Sequence, residues 1–294
     1  MLGELRADAR ALSRLSAAPN ALPRSATTCN EPCFDLSANP AHRRALRGAA
    51  VGSVTDLISI VDADADLAEL LDEPERERAR RQALTRVRRL SPGEWDAANA
   101  VEPDQHHRGF LIIDGLLSRE VHVLGRSCVE LLGPGDVLRP WRWDPDGSHV
   151  HAEVGWFVLE PTDLAVLDHG LVTRINPWPQ IGVELFARGT RRAHSLAVAL
   201  AIAHHQRVDE RLLLTLWHLA ERWGRVRPEG IVVPLPLSHQ RLADLVGAHR
   251  PSVTTAMGDL ARSGAISRRD GGHWVLHGAP PEQLRHHRLV AAMT

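Results

Sequence analysis

The chain has 294 residues, 44% of them hydrophobic, and a formal net charge of −1. That length holds two modest globular domains with extensions, while the near-zero charge excludes a chain that grips nucleic acid through bulk basicity. Three cysteines are too few for a disulfide framework, and no apolar run approaches the roughly 20 residues of a membrane span, so a cytoplasmic protein with no membrane partner is expected. Residues 1–55 are rich in Ala, Arg, Ser and Pro with little periodicity, and Arg6, Arg10 and Arg14 interrupt any signal-peptide core there. This stretch is expected to be disordered or to lie upstream of the true start. Asp64 to Arg89 then predicts two short amphipathic helices broken near Pro74, their charges forming a solvated face.

From Gly109 to Asp168 the pattern changes to short strands separated by Gly and Pro turns. Phe110–Ile113, the turn Asp114-Gly115 and Leu116–Val123 predict a hairpin. Cys128–Leu132 is another strand, ended by the β-turn Gly133-Pro134-Gly135-Asp136. Val154–Leu159 and Leu164–Leu167 follow, separated by Glu160-Pro161-Thr162-Asp163. Strands at such spacing predict a sandwich or barrel. Asn176 to His205 is a long helix candidate that Pro177 and Pro179 open. Ile181, Leu185, Leu196, Leu200 and Ala203 give it one apolar stripe, and Ala193, Ala197 and Ala199 permit close approach. Asp209–Trp223 is a further amphipathic helix with Leu212, Leu216, Leu219, Ala220 and Trp223 on its core face, and Gly224 ends it.

Leu237 to Leu276 is the most informative stretch: LSHQRLADLVGAHRPSVTTAMGDLARSGAISRRDGGHWVL. Ser238 is placed to cap a helix, Leu242, Leu245 and Val246 give its apolar stripe, and Gly247 supplies the left-handed residue that ends it. Pro251 suits the first turn of a second helix, where its missing N–H is no loss. Val253, Met257 and Leu260 point inward at i, i+4 and i+7. His249, Arg250, Ser252, Thr254 and Thr255 are left facing out, short polar groups and one guanidinium suited to base edges and phosphates. Gly264 closes the helix. Ala265–Arg268 and His273–Leu276 alternate around Asp270-Gly271-Gly272, a hairpin signal, with Arg268 and Arg269 near its tip. Helix, turn, helix and hairpin make a winged helix-turn-helix, a module that sets one helix in the DNA major groove. Residues 208–278 carry nine arginines against seven carboxylates, a slight basic excess, so local placement and dimerisation must supply affinity.

The run VGAHRPSVTTAMGDLARSGAISR resembles the recognition helix and wing of the Crp/Fnr superfamily of bacterial transcription regulators, and the likeness extends upstream over roughly residues 105–278. The resemblance implies an α+β chain: an N-terminal cyclic-nucleotide-binding-like jelly-roll sensor over 56–175, a dimerisation helix over 176–206, a winged helix-turn-helix over 207–278 and a tail over 279–294. It implies a homodimer, through a two-stranded coiled coil of the long helix, on a palindromic site in double-stranded DNA. It further implies a small-molecule effector of unknown identity and contact with RNA polymerase if the protein activates. By the same resemblance, the residue at Arg250 contacts bases or phosphates, Ser252 contacts phosphate, Thr255 lies on the base-reading face, and Ser238 and Gln240 touch phosphate. The expected DNA-contact set is Ser238, His239, Gln240, His249, Arg250, Ser252, Thr254, Thr255, Arg268 and Arg269. Pro251 departs from the pattern, standing where several members carry an acidic base reader, so their target sequences do not carry over.

The sensor region departs further. Gly135-Asp136-Val137-Leu138-Arg139-Pro140-Trp141 lacks the Gly-Glu-Leu pattern of the cyclic-nucleotide binders, and His151-Ala152-Glu153-Val154 puts a carboxylate where their Arg-Ser/Thr pair neutralises the phosphate. Cyclic AMP is therefore not the expected effector. Trp141, Trp143 and Trp156 either wall an apolar pocket or belong to the core. Cys29, Cys33 and Cys128 fall short of the four ligands of an iron–sulfur cluster, and Cys128 is expected to be a small buried hydrophobe. His149, His151 and Glu153 would share one face of a strand, a metal-ligand type set similar to the metal strand of cupins, with His169 a further candidate. A metal-dependent jelly-roll enzyme or sensor with an appended winged helix is thus the rival reading. No catalytic set and no resident cofactor is expected, since the chain has no phosphate loop, dinucleotide fingerprint or nucleophile elbow.

Overall fold

The structure, a computed structural model, describes residues 57–97, 108–140, 152–269 and 271–280. The expected N-terminal extension, Cys29 and Cys33, Trp141 and Trp143, and His149 and His151 lie outside them, as does most of the expected tail.

A rolled antiparallel sheet comes first. Its strands are β1 (Leu57–Ser59), β2 (Leu84–Leu90), β3 (Gly93–Glu94), β4 (Gly109–Val123), β5 (Arg126–Leu132), β6 (Val137–Leu138) and β7 (Glu153–Leu167). The order is β1-β2-β7-β4-β5, with β3 on β7 and β6 on β4. Helices α1 (Ile60–Ala63) and α2 (Glu73–Gln82), and a 3-10 turn at Ala65–Ala68, precede β2. Of the two helices expected over 64–89, the first is only the 3-10 turn, and the second is α2, which stops at Gln82 so that its expected C-terminal part is the strand β2. Pro74 lies in the first turn of α2 behind the cap Asp72 instead of breaking a helix.

The hairpin expected around Asp114-Gly115 does not form. β4 runs straight through, and so does β7 through Pro161, because the two long strands pair with each other. The register shifts between Ile112 and Leu117 bend them. Gly115 sits in that bend at φ +97°, where a Cβ would collide with the backbone of Pro161 and Thr162. The turn lies further on, at Leu124-Gly125 between β4 and β5.

Alternation along each strand, shifted in phase across the bend, then sorts the side chains. Phe110, Ile112 and Leu117 of β4 meet Val158, Leu164 and Val166 of β7 inside the roll, with Trp95 and Trp156 packed edge to face at 5.8 Å. Trp156 is therefore core. Leu111, Ala165 and Leu167 point outward and are covered by α1, the 3-10 turn, α2 and two later helices, α3 (His169–Ile175) and α4 (Pro179–Ala203). His169 opens α3, a helix the sequence did not predict, so α4 begins at Pro179 and not at Asn176. Cys128 is exposed, not buried, because β5 turns it away from the roll. α4 buries Ile181 and Ile202, yet leaves much of its expected stripe open to solvent.

The C-terminal half opens with α5 (Val208–Trp223). A second sheet follows in the order β10-β11-β9-β8, built from β8 (Arg225–Arg227), β9 (Gly230–Val233), β10 (Ile266–Arg268) and β11 (Trp274–Leu276). α6 (His239–Val246) and α7 (Arg250–Arg262) lie between β9 and β10. The core of this half includes Leu116 of β4 and Leu131 of β5, so it is continuous with the outer face of the roll. Two ion pairs flank the junction. Arg241 Nη1 of α6 lies 2.7 Å from Glu120 Oε1 and donates to Ser118 Oγ at 3.0 Å, and Arg222 of α5 lies 2.8 Å from Asp136. Burial pushes the Asp136 carboxyl up, against the opposing pull of Arg222.

Candidate nucleic-acid interface

Local signals build α6 and α7 as the sequence predicts. Ser238 Oγ accepts from Arg241 N at 3.2 Å, and Gly247 ends α6 in the left-handed region at φ 60°. Arg211 of α5 adds a brace the sequence did not reveal, donating to Val246 O at the end of α6 at 2.8 Å. Pro251 sits in the first turn of α7, and Val253, Ala256, Met257 and Leu260 are buried beneath it. Gly264 follows at φ 75°, and β10 and β11 pair as the predicted hairpin.

The opposite face of α7 is open. His249, Arg250, Ser252, Thr254 and Thr255 are all exposed, as are Ser238 and Gln240 at the start of α6. Thr254 and Thr255 donate back to Arg250 O and Pro251 O, which fixes both hydroxyls on the helix surface. Gln240 donates to Asp244 at 2.9 Å. In the wing, Arg268 is exposed and its Cζ lies 5.4 Å from the Trp274 ring centroid, while Arg269 is paired with Glu229 at 2.6 Å. His239 is half-buried where these parts meet. Its Nδ1 is 3.1 Å from Thr254 Oγ1 and its ring stacks on Trp274. Burial, then the nearby Arg268 and Arg250, hold this imidazole below the ordinary histidine value.

Residues 210–285 match the model of the Crp-like helix-turn-helix domain. The C-terminal part is a Crp-like helix-turn-helix. The chain is 28% identical over 139 residues to the regulatory protein CysR of Synechococcus elongatus, covering 46% of this chain and 65% of that protein. To the global nitrogen regulator of the same species it is 38% identical over 63 residues, 21% of this chain and 28% of that one. It therefore spans less than two thirds of the curated relatives it matches. A cyclic nucleotide-binding domain-containing protein from Listeria monocytogenes shares the fold, with a TM-score of 0.54 and 17% identity over 72% of this chain and 96% of that one. The mixed fold, an N-terminal sheet domain followed by a helix-turn-helix, is that of Crp-family structures.

Other candidate chemistry fares differently. Of the three residues of the expected metal strand, only Glu153 is described, and it is exposed at the start of β7. Among the described residues no group of three or more His, Cys, Asp or Glu is placed to hold a metal. One Ser–His–acid contact occurs among the described residues. Ser195 Oγ of α4 lies 2.9 Å from His218 Nε2 of α5, and His218 Nδ1 lies 3.3 Å from Glu221. Ser195 sits mid-helix, where backbone N–H groups bond the preceding turn and are not aimed at a developing oxyanion. The contact therefore works as a clasp between α4 and α5.

Proposed function

We propose that this protein is a homodimeric, sequence-specific DNA-binding regulator of transcription, bound to a two-fold symmetric site with one α7 in the major groove of each half-site. The observation that carries the proposal is the two-sided build of α7: an anchored apolar face and an exposed face of Arg250, Ser252, Thr254 and Thr255. The expected contact set divides by chemistry. Arg250 and Thr255 are assigned to base edges; Ser238, His239, Gln240, His249, Ser252, Thr254 and Arg268 to phosphates or groove edges; and Arg269 to phosphate after exchanging its partner Glu229. An effector acting on the rolled sheet, contact with RNA polymerase on activation, and a cytoplasmic setting belong to the same reading. The test is selection from a random DNA pool by the purified full-length protein at near-physiological salt. A palindrome with half-sites one helical turn apart supports the proposal, and loss of all enrichment, with or without candidate effectors, counts against it.

The dimer is proposed on α4. Val183, Phe186 and Leu200 are 63%, 77% and 63% exposed. Phe186, Ala193 and Leu200 recur every seven residues, the spacing of a helix–helix seam with a small residue between two large ones. Phe186→Glu with Leu200→Glu is expected to give a folded monomer by sedimentation that loses palindrome binding. A double variant that stays dimeric would remove α4 as the seam.

A further inference from the structure

First helix, recognition helix and wing meet at one imidazole. His239 opens α6, its Nδ1 faces Thr254 Oγ1 of α7 at 3.1 Å, and its ring lies on the Trp274 indole of β11 with centroids 6.1 Å apart and 21° between planes. Trp274 is itself fixed: it is 4% exposed, its Nε1 donates to Leu237 O at 3.4 Å, and the Arg268 guanidinium of β10 covers its ring. The Thr254 hydroxyl spends its one proton on Arg250 O at 3.1 Å, so toward His239 its oxygen accepts and His239 Nδ1 carries the hydrogen. That choice decides the other side of the ring. A neutral His239 with its hydrogen on Nδ1 presents a bare lone pair at Nε2, which repels a phosphate oxygen. Only the imidazolium, with hydrogens on both nitrogens, holds Thr254 and donates to a phosphate together.

We propose that His239 aligns the recognition helix with the wing and takes up a proton when a DNA backbone phosphate closes on it. The inference rests on the DNA-binding reading above. The charged groups acting on the ring are Arg250 from α7 and Arg268 from the wing, and both disfavour its proton in the free protein. A phosphate reverses that local field. The ring's pKa in the complex then lies above its pKa in the free protein, and between the two values binding absorbs a proton. Affinity is flat above the higher value, rises as pH falls through the window by up to about tenfold per pH unit for each half-site, and is flat again below the lower one.

The experiment is the dissociation constant of the full-length protein for its selected duplex from about pH 5 to pH 8 at fixed salt. It is done for the wild type, His239→Gln, and the control His273→Gln. Glutamine still offers an N–H to Thr254 but cannot charge. Expected are a wild-type gain in affinity toward low pH, its loss in His239→Gln and its retention in His273→Gln, so that His239→Gln and the wild type differ most at the acid end. An unchanged slope in His239→Gln overturns the proposal, as does a loss of equal size at every pH. Absence of wild-type binding at every pH overturns the DNA-binding reading as well.

Discussion

Truncating Leu242 to alanine is expected to remove about 2–5 kcal/mol of stability, the range for deleting a fully buried leucine side chain. Leu242 is 0% exposed and belongs to the core that joins α5, α6, α7, the wing and the outer face of β4 and β5. The cost should lie toward the upper end, because its neighbours belong to several elements already tied to one another and cannot all close in on the void. Urea unfolding followed by helix signal measures it. The midpoint should fall with the slope unchanged, and Leu242→Met, which keeps the volume, should cost less than about 1.5 kcal/mol. A cost below about 1 kcal/mol for Leu242→Ala would mean that α6 is not packed as described.

The second large effect is expected at the DNA. Arg250→Ala should weaken binding to the selected palindrome by roughly 1–3 kcal/mol per half-site and relax the preference at one base position. Arg250 is exposed at the first turn of α7, the end that enters the groove in a helix-turn-helix. Pro251 beside it has no polar side chain and no N–H, so it cannot take over the lost contact. Arg268→Ala is the internal comparison. As a phosphate contact it should weaken all sequences alike and reduce the salt dependence by about one unit. Repeating the pool selection with Arg250→Ala decides: an unchanged motif would reassign Arg250 to the backbone.

The two halves of the chain were unequally legible in the sequence, for a physical reason. In the helix-turn-helix every boundary is set by a residue acting on its own neighbourhood: Ser238 caps three residues on, Gly247 takes a left-handed conformation, Pro251 tolerates a helix start. In the roll, Asp114-Gly115 carries a sound hairpin signal, but pairing with residues some 45 positions on turned it into a bulge inside β4. Likewise Leu84–Leu90 is dense in arginine and follows a helix. Its strand identity comes from β1 on one side and β7 on the other, and Arg88 is buried as a result. Arg241 was the main omission. It falls on the polar face of α6, and its partner Glu120 lies 121 residues earlier, beyond any local pattern. The stacking of His239 on Trp274 was equally invisible, since it depends on how the wing folds back over α6.

Leu116 and Leu131 belong at once to the rolled sheet and to the core of the DNA-binding half. Swinging that half away would return both side chains to water at about 1.5–3 kcal/mol each, while the partly exposed Arg241–Glu120 pair adds little. The undocked arrangement would then occupy roughly one molecule in a hundred to one in ten thousand. An input that works by undocking must therefore prefer the open arrangement by about two to four powers of ten. Such an input would meet a high threshold: a ligand that favours the open arrangement only weakly would leave the docked form in the majority.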